Sequence, residues 1–237
     1  MGRSIEEFDF QKGEVLLFNK ELDWTSFDLV RKLRNFLSRE TGIKKLKVGH
    51  AGTLDPKATG LMIVCTGKET KKIDQIQAKE KEYIATLKLG ATTPSFDLET
   101  TENEFFSTDH LTLDLVNETL KNFIGETDQV PPLFSAVKID GKRAYEHARK
   151  GNDIVLQSKK ITFYELEILN FSKDRIVLRV VCSKGTYIRA LARDLGVELH
   201  CGAYLVGLKR TRIGETKLED AWDLNDFLEK MKKDETN

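Results

Sequence analysis

Gly49-His50-Ala51-Gly52-Thr53-Leu54-Asp55-Pro56-Lys57-Ala58-Thr59-Gly60 is the stretch on which the reading of this 237-residue chain turns. Its three glycines open backbone conformations closed to other residues and allow close approach of a ligand. Pro56 holds Asp55 in extended geometry. The segment therefore presents one carboxylate on a stiff loop, just ahead of the apolar run Leu61 to Cys65, which reads as a buried strand. Catalytic side chains are often carried this way. Taken alone, such a loop is more often a turn whose aspartate only hydrogen-bonds backbone amides. It is not a Walker phosphate loop, because no Gly-Lys-Ser/Thr follows at the required spacing, and it is not a dinucleotide fingerprint.

On the N-terminal side, Glu14 to Asn19 predicts a strand. Thr25 and Ser26 can cap a helix to about Arg39, with Phe27, Val30, Leu33 and Leu37 on its inner face and Gly42 as its stop. Leu46 to Gly60 reads as loop, and Glu69 to Gln77 as a weak helix. On the C-terminal side, Glu82 to Gly90 alternates, which puts Tyr83, Ala85, Leu87 and Leu89 on one face of a strand. Thr92 to His110 is polar loop, and Thr112 to Ile124 an amphipathic helix stopped by Gly125. Leu133 to Ile139 predicts a strand leading to an Asp140-Gly141 turn, followed by a short helix from Ala144 to Lys150. Lys160 to Phe171 and Arg175 to Cys182 pair as a hairpin. Tyr187 to Leu199 is a helix with Ile188, Leu191, Ala192, Leu195 and Leu199 inward. Ala203 to Lys209 is a further strand, and Asp223 caps a last helix to Lys232. Strands neighbour strands as often as they alternate with helices, so the class is α+β, with a mixed, mainly antiparallel sheet flanked by helices. No linker or repeat is visible, and a single catalytic-sized domain over residues 1–237 is the simplest organisation.

Apolar residues make up 40% and charged residues 32%, which excludes a wholly disordered chain. No apolar run approaches the ~20 residues of a membrane helix. Met1 to Gly13 holds Glu6, Glu7 and Asp9 where a signal peptide would be apolar, so the expected location is the cytoplasm and no membrane partner is expected. Cys65, Cys182 and Cys201 are odd in number and widely spaced, which argues against a disulfide framework. His110, His147 and His200 stand at no metal-ligand spacing from them, so no metal is expected.

Net charge is zero, with 38 basic and 38 acidic residues, but the charge is segregated. Arg31 to Lys47 holds seven bases and one acid, Lys138 to Lys150 five against two, and Lys184 to Arg212 six against two. Asp97 to Glu118 holds seven acids and no base, and Glu215 to Asn237 eight acids against four bases. Solvated helix faces account for any one segment. Three basic segments together point modestly to a polyanionic partner, because a positive face attracts phosphates whatever the global charge.

A lone nucleophilic carboxylate needs a cation to keep it ionised and aimed. Ser183-Lys184-Gly185-Thr186-Tyr187-Ile188-Arg189 is the best source, since Arg189 falls in the first turn of its helix and a guanidinium can pair twice with a carboxylate. Arg189 and Arg193 are four apart, however, and on spacing alone a solvated basic stripe is the better reading. Tyr83 could stack on a base, although an alternating strand usually buries its tyrosine in the core. His50 could stack on a nucleotide or act as acid or base. Lys20 is either an exposed strand end or a phosphate contact.

Taken together, these segments resemble the TruB family of tRNA pseudouridine-55 synthases. Gly49 to Gly60 resembles the family's aspartate loop, and Lys81-Glu82-Tyr83, on to Leu89-Gly90, its tyrosine strand. Gln129-Val130-Pro131-Pro132-Leu133-Phe134-Ser135-Ala136-Val137-Lys138, with Gly141-Lys142, Tyr145 and Ala148-Arg149-Lys150-Gly151, resembles its RNA-gripping insertion. Ser183 to Arg189 is similar to its arginine motif, and Gly202-Ala203 through Leu208-Lys209-Arg210-Thr211 to its closing strand. The matches occur in the expected order from about Gly13 to Gly214.

The resemblance implies a pseudouridine synthase fold with a thumb-like RNA-binding insertion at about 128–156, a core at about 13–214 and an acidic helical tail at 215–237. It implies that a uridine in the T-loop of tRNA, at position 55, is isomerised to pseudouridine without a cofactor. Asp55 would be the catalytic carboxylate, Arg189 its partner, and Tyr83 the surface for the flipped base and a candidate for handling the C5 proton. His50 would help hold the unstacked loop. Lys20, Tyr187 and Leu208 would line the pocket, beside the loop residues Gly52 and Thr53. The partner would be the T-arm of tRNA, with no guide RNA and no obligate protein partner.

Two local departures from the family pattern stand out. Lys20-Glu21 replaces the usual Lys-Pro, which leaves the lysine but is expected to loosen the entry turn, and Ala51 replaces a threonine. The segment after Gly214 is also too short for the C-terminal PUA domain of many bacterial members, so weaker tRNA binding is expected. The rival readings are a ribosomal RNA pseudouridine synthase, whose loop commonly carries Arg-Leu-Asp, and a non-catalytic tRNA-folding helper.

Overall fold

The computed structural model describes residues 7–135, 138–139, 142–144 and 156–232, with 138–139 and 142–143 described by backbone alone. In chain order its strands are β1 (Val15–Lys20), β2 (Val48–His50), β3 (Ala58–Thr66), β4 (Lys81–Leu89), β5 (Ala91–Thr92), β6 (Glu104–Phe105), β7 (Gly125–Gln129), β8 (Lys138–Ile139), β9 (Lys142–Arg143), β10 (Lys159–Ser172), β11 (Arg175–Cys182), β12 (Ala203–Ile213) and β13 (Thr216–Lys217). Its helices are α1 (Ser26–Thr41), α2 (Ile73–Ala78), α3 (Leu113–Lys121), α4 (Ile188–Glu198) and α5 (Leu224–Lys230). The class is α+β, as expected. Contacts divide the chain into two compact units, one from the residues up to Lys81 and from Lys209 onward, the other from Glu82 to Leu208.

In the first unit β1 and β2 each pair antiparallel with β3. Thr25 caps α1 through a reciprocal box with Asp28, each side chain accepting the other's N–H, and Gly42 ends the helix at φ 72. The buried stripe is Ser26, Leu29, Val30, Leu33, Phe36 and Leu37. Phe27, expected inside, is 60% exposed with the Arg31 guanidinium 5.6 Å from its ring. The cap fixes the helix start, and at about 100° per residue Phe27 falls outside the stripe centred on Leu33. The predicted loop from Leu46 to Gly60 in fact holds β2 and the first residues of β3. Its glycines hid the strands from a pattern that looks for side chains.

The core beneath α1 joins Phe10, Leu16, Phe18, Leu33, Leu37, Met62 and Val64 to Leu224, Phe227, Leu228 and Met231. The Phe227 ring meets those of Phe18, Trp222 and Phe8 edge-on, at 5.2, 5.9 and 6.3 Å. The acidic C-terminal segment therefore carries an apolar face that closes this core.

In the second unit the sheet runs β4, β11, β10, β7, with β10 antiparallel to both of its neighbours. Tyr83, Ala85, Leu87 and Leu89 are buried on one face of β4, as the alternation predicts. The β10–β11 hairpin also matches expectation. β7, Gly-Glu-Thr-Asp-Gln, was not predicted, because an edge strand of polar residues carries no hydrophobic alternation. The Asp140-Gly141 turn, the Ala144–Lys150 helix beyond its first residue, and most of the insertion at 128–156 lie outside the described residues.

Candidate active site

In the first unit the aspartate loop links β2 to β3, and its main chain is held on both sides of Asp55. Arg210 of β12, only 1% exposed, donates from Nε to the Leu61 carbonyl (2.7 Å), from Nη2 to that of Gly52 (3.1 Å) and from Nη1 to that of Thr53 (3.5 Å). The buried Ser26 hydroxyl, at the start of α1, accepts the Leu54 N–H (2.9 Å) and donates to the Leu54 carbonyl (3.2 Å). The Pro56 carbonyl accepts from the Asp23 N–H (2.9 Å) and from Lys20 Nζ (3.5 Å). The Asp55 carbonyl accepts from the Ala58 N–H at 3.0 Å, closing the turn. Asp55 itself is half-buried and Thr53 exposed.

Lys20, the last residue of β1, has no solvent exposure. Its ammonium donates to the carbonyls of Trp24 (2.7 Å) and Glu21 (2.8 Å). The Lys20-Glu21 turn is thus tied by the lysine itself, where the sequence led us to expect it loosened. Burial lowers the Lys20 pKa to about 8 against the opposing pull of the Asp55 and Asp23 charges, and Arg210 lowers it further. Lys20 is therefore a cation at neutral pH, within the electrostatic reach of Asp55. His50, at the end of β2, has its pKa lowered by burial and by the Arg210 charge, with the Gly52 backbone pulling the other way. It is a neutral imidazole at neutral pH.

In the second unit Arg189 lies in the first turn of α4 with its Nη1 3.5 Å from Asp97 Oδ2, the two side chains being 5% and 4% exposed. The solvated basic stripe is therefore wrong for Arg189, which points inward. Arg193 behaves differently, donating to the Val130 carbonyl (3.0 Å) and lying 5.2 Å over the Phe96 ring. Asp97 falls in the stretch read as polar loop, yet it is 3% exposed. Its Oδ1 accepts the Glu99 N–H (2.9 Å), and its carbonyl accepts the hydroxyls of Thr93 (2.9 Å) and Ser95 (3.3 Å). Tyr187 stands at the N-cap of α4, where the Gln129 carboxamide holds it. Tyr83 is 8% exposed on β4, and Leu208 is half-buried on β12.

The first unit thus gathers Lys20, His50, Gly52, Thr53 and Asp55 around one loop, while the second carries Tyr83, Tyr187, Arg189 and Leu208. Sequence reasoning counted Arg210 in the closing strand and Gln129 in the insertion without giving either side chain a role of its own, and it gave none to Asp97. Arg210 stands between Lys209 and Arg212, so it reads as one of several solvated charges. Among the described residues there is no cluster of three or more His, Cys, Asp or Glu that could hold a metal, and no helix long and apolar enough to cross a membrane.

Comparison with known proteins adds to this geometry. A family model described as "TruB family pseudouridylate synthase (N terminal domain)" matches residues 39–188. One described as "tRNA pseudouridylate synthase B C-terminal domain" matches residues 189–237. A protein named tRNA pseudouridine synthase B from Parabacteroides distasonis is 60% identical over 224 residues, 93% of this chain and 95% of its own length. Another of that name, from Flavobacterium johnsoniae, is 50% identical over 94% of this chain and 98% of its own length. Among solved structures, a chain from "Crystal Structure of a Cbf5-Nop10-Gar1 Complex" is similar at a TM-score of 0.69 and 28% identity. That match covers 96% of this chain but 56% of the other, so this chain spans little more than half its length.

Proposed function

The chain belongs to the TruB family of pseudouridylate synthases, and from that footing we propose that it isomerises the T-loop uridine of tRNA, position 55, to pseudouridine with the Asp55 carboxylate. Isomerisation of a tRNA uridine is the activity that the names of relatives at 50–60% identity state, and membership carries it to this chain. The reaction breaks the C1′–N1 bond, turns the uracil, joins C1′ to C5 and transfers the C5 hydrogen to solvent while a ring nitrogen takes up a proton. It has no redox change, so the residues present suffice in principle. The target base must leave its stack, at a cost of a few kcal/mol that aromatic and shape contacts offset.

The observation that supports the carboxylate's role is the aspartate loop, whose main chain is held at Gly52, Thr53, Leu54, Pro56 and Leu61. A preset nucleophile loses no freedom on binding substrate. In this reading Asp55 attacks C1′ or C6, or removes the 2′ hydrogen. Arg189 supplies the cation that serves it, and Tyr83 receives the uracil. His50, neutral, stacks without adding a charge to desolvate. Lys20, Gly52, Thr53, Tyr187 and Leu208 shape the pocket. The enzyme reads its tRNA directly, without guide RNA, in the cytoplasm.

Tritium release from 5-³H-uridine in an unmodified tRNA transcript tests the proposal, with wild type compared to Asp55→Asn. Release by wild type alone, confined to the T-loop uridine, is the expected result. Release from ribosomal RNA fragments instead would move the assignment to that substrate. Binding without release by wild type would favour the folding-helper reading. Release by both proteins would remove Asp55 from the mechanism.

A further inference from the structure

We infer that Arg210 is a positioning residue for this reaction: one guanidinium ties the two ends of the aspartate loop together and so fixes where the Asp55 carboxylate stands. The inference rests on the function proposed above and extends it to a residue outside the expected site.

The loop enters at Gly52 and Thr53 and runs on into β3, which carries Leu61, and all three carbonyls converge on the one side chain. A guanidinium can do this because its donors form a rigid planar fork, whereas a lysine ammonium is a point charge that reaches one flank. The main chain leaves no slack on that side. Gly60 sits at φ +106, and a Cβ there would stand 2.3 Å from the Arg210 carbonyl oxygen. Gly52 sits at φ +114, a conformation that residues with a side chain rarely adopt, although a Cβ there would meet Arg210 Nη1 only at an ordinary 3.5 Å. Ser26 and Lys20 hold Leu54 and Pro56, and Arg210 holds the remaining flank to β12. Without it the loop keeps its α1 side and is released on the other.

Stability alone does not call for a cation here. Burying a guanidinium carries a desolvation penalty that neutral donors would avoid. The charge also acts beyond the loop's shape, since it lowers the pKa of both Lys20 and His50. Arg210 therefore sets both the place of the carboxylate and the field around it.

The test compares Arg210→Lys with wild type and with Leu37→Ala, a core variant under α1 that lowers stability away from the loop. Melting temperature and folded fraction are measured first, then the Kd for a tRNA transcript, then the single-turnover rate of tritium release per folded molecule. Arg210→Lys is expected to bind tRNA nearly as wild type does and to release tritium about 10²-fold more slowly, the scale of an ångström's misplacement. Leu37→Ala is expected to keep the wild-type rate per folded molecule. Gly52→Ala strains the same end of the loop through its φ of +114 with Arg210 in place, and should repeat the Arg210→Lys pattern, which preserves the test if Arg210→Lys fails to fold. Near-wild-type rates in the folded Arg210→Lys or, failing that, Gly52→Ala protein would overturn the inference, as would an equal loss in Leu37→Ala. If wild type itself releases no tritium, the assigned reaction falls instead.

Discussion

Gln129 grips Tyr187 by both edges of one residue's main chain: its Nε2 donates to the Tyr187 carbonyl at 3.1 Å, and its Oε1 accepts the Tyr187 N–H at 2.8 Å. Tyr187 sets the start of α4, and Arg189 follows in the first turn. Gln129→Leu keeps the volume and loses both bonds. Leaving such groups unpaired costs about 1–3 kcal/mol each when buried, and Tyr187 is half-buried, so a loss of about 2 kcal/mol is expected. Urea denaturation measures it. A slower single-turnover rate should accompany it, because the helix start carries Arg189.

Asp97 and Arg189 form a pair closed to solvent, at 3.5 Å. Asp97→Asn keeps the shape and the acceptor for the Glu99 N–H but removes the negative charge beside the guanidinium. Removing one partner of a buried pair typically costs about 3–5 kcal/mol. A fall in unfolding free energy near the lower end, together with a large loss of turnover, is expected. Unchanged stability would mean that the pair is not a determinant of the native state.

Gly60 has no room for a side chain. Its φ of +106 already disfavours one, and the added Cβ would meet main-chain atoms of Arg210 at 2.3 and 2.7 Å. Neither is the end of a flexible side chain that could swing away. Gly60→Ala should therefore destabilise by about 3 kcal/mol or more, combining backbone strain with overpacking. Comparison with Gly42→Ala, where the same Cβ meets nothing within 4 Å, separates strain from clash.

Lys20 makes stability depend on pH in a stated direction. Its native pKa is about 8, below the ordinary 10.5. Between those values the unfolded chain binds a proton that the native chain does not, so this residue's contribution rises with pH across that window. Below pH 8 the penalty for burying the charged amine is present in full. The unfolding free energy of wild type minus that of Lys20→Met, which cannot titrate, should therefore grow from pH 8 to pH 10. The slope is at most about 1.4 kcal/mol per pH unit. A flat difference would contradict the shift.

Much of this architecture was legible in the sequence wherever a side-chain pattern carries the physics. The Thr25–Asp28 box and Gly42 marked both ends of α1, and alternation marked β4 and its buried Tyr83. Reading failed where the backbone or a distant partner decides. β2 and the start of β3 hold glycines, β7 is polar throughout, and Asp97 has its ion-pair partner on α4, which no local window contains. Arg189 looked like a solvated charge because spacing records which residues share a face, not which face is covered. Arg210 is the extreme case, since all its partners are carbonyls more than a hundred residues earlier in the chain.

The place of α5 in the first unit sets an order of assembly during translation. Multidomain chains commonly fold from the N-terminus as they are made. Here the early residues of β1 and α1 cannot shut their core until Leu224, Phe227 and Met231 have left the ribosome. Glu82 to Leu208, an uninterrupted segment, is complete before that. The aspartate loop, held from the start by Ser26 and Lys20, also waits for Arg210, so in the nascent protein its β12 side stays unanchored until residue 210 has been synthesised.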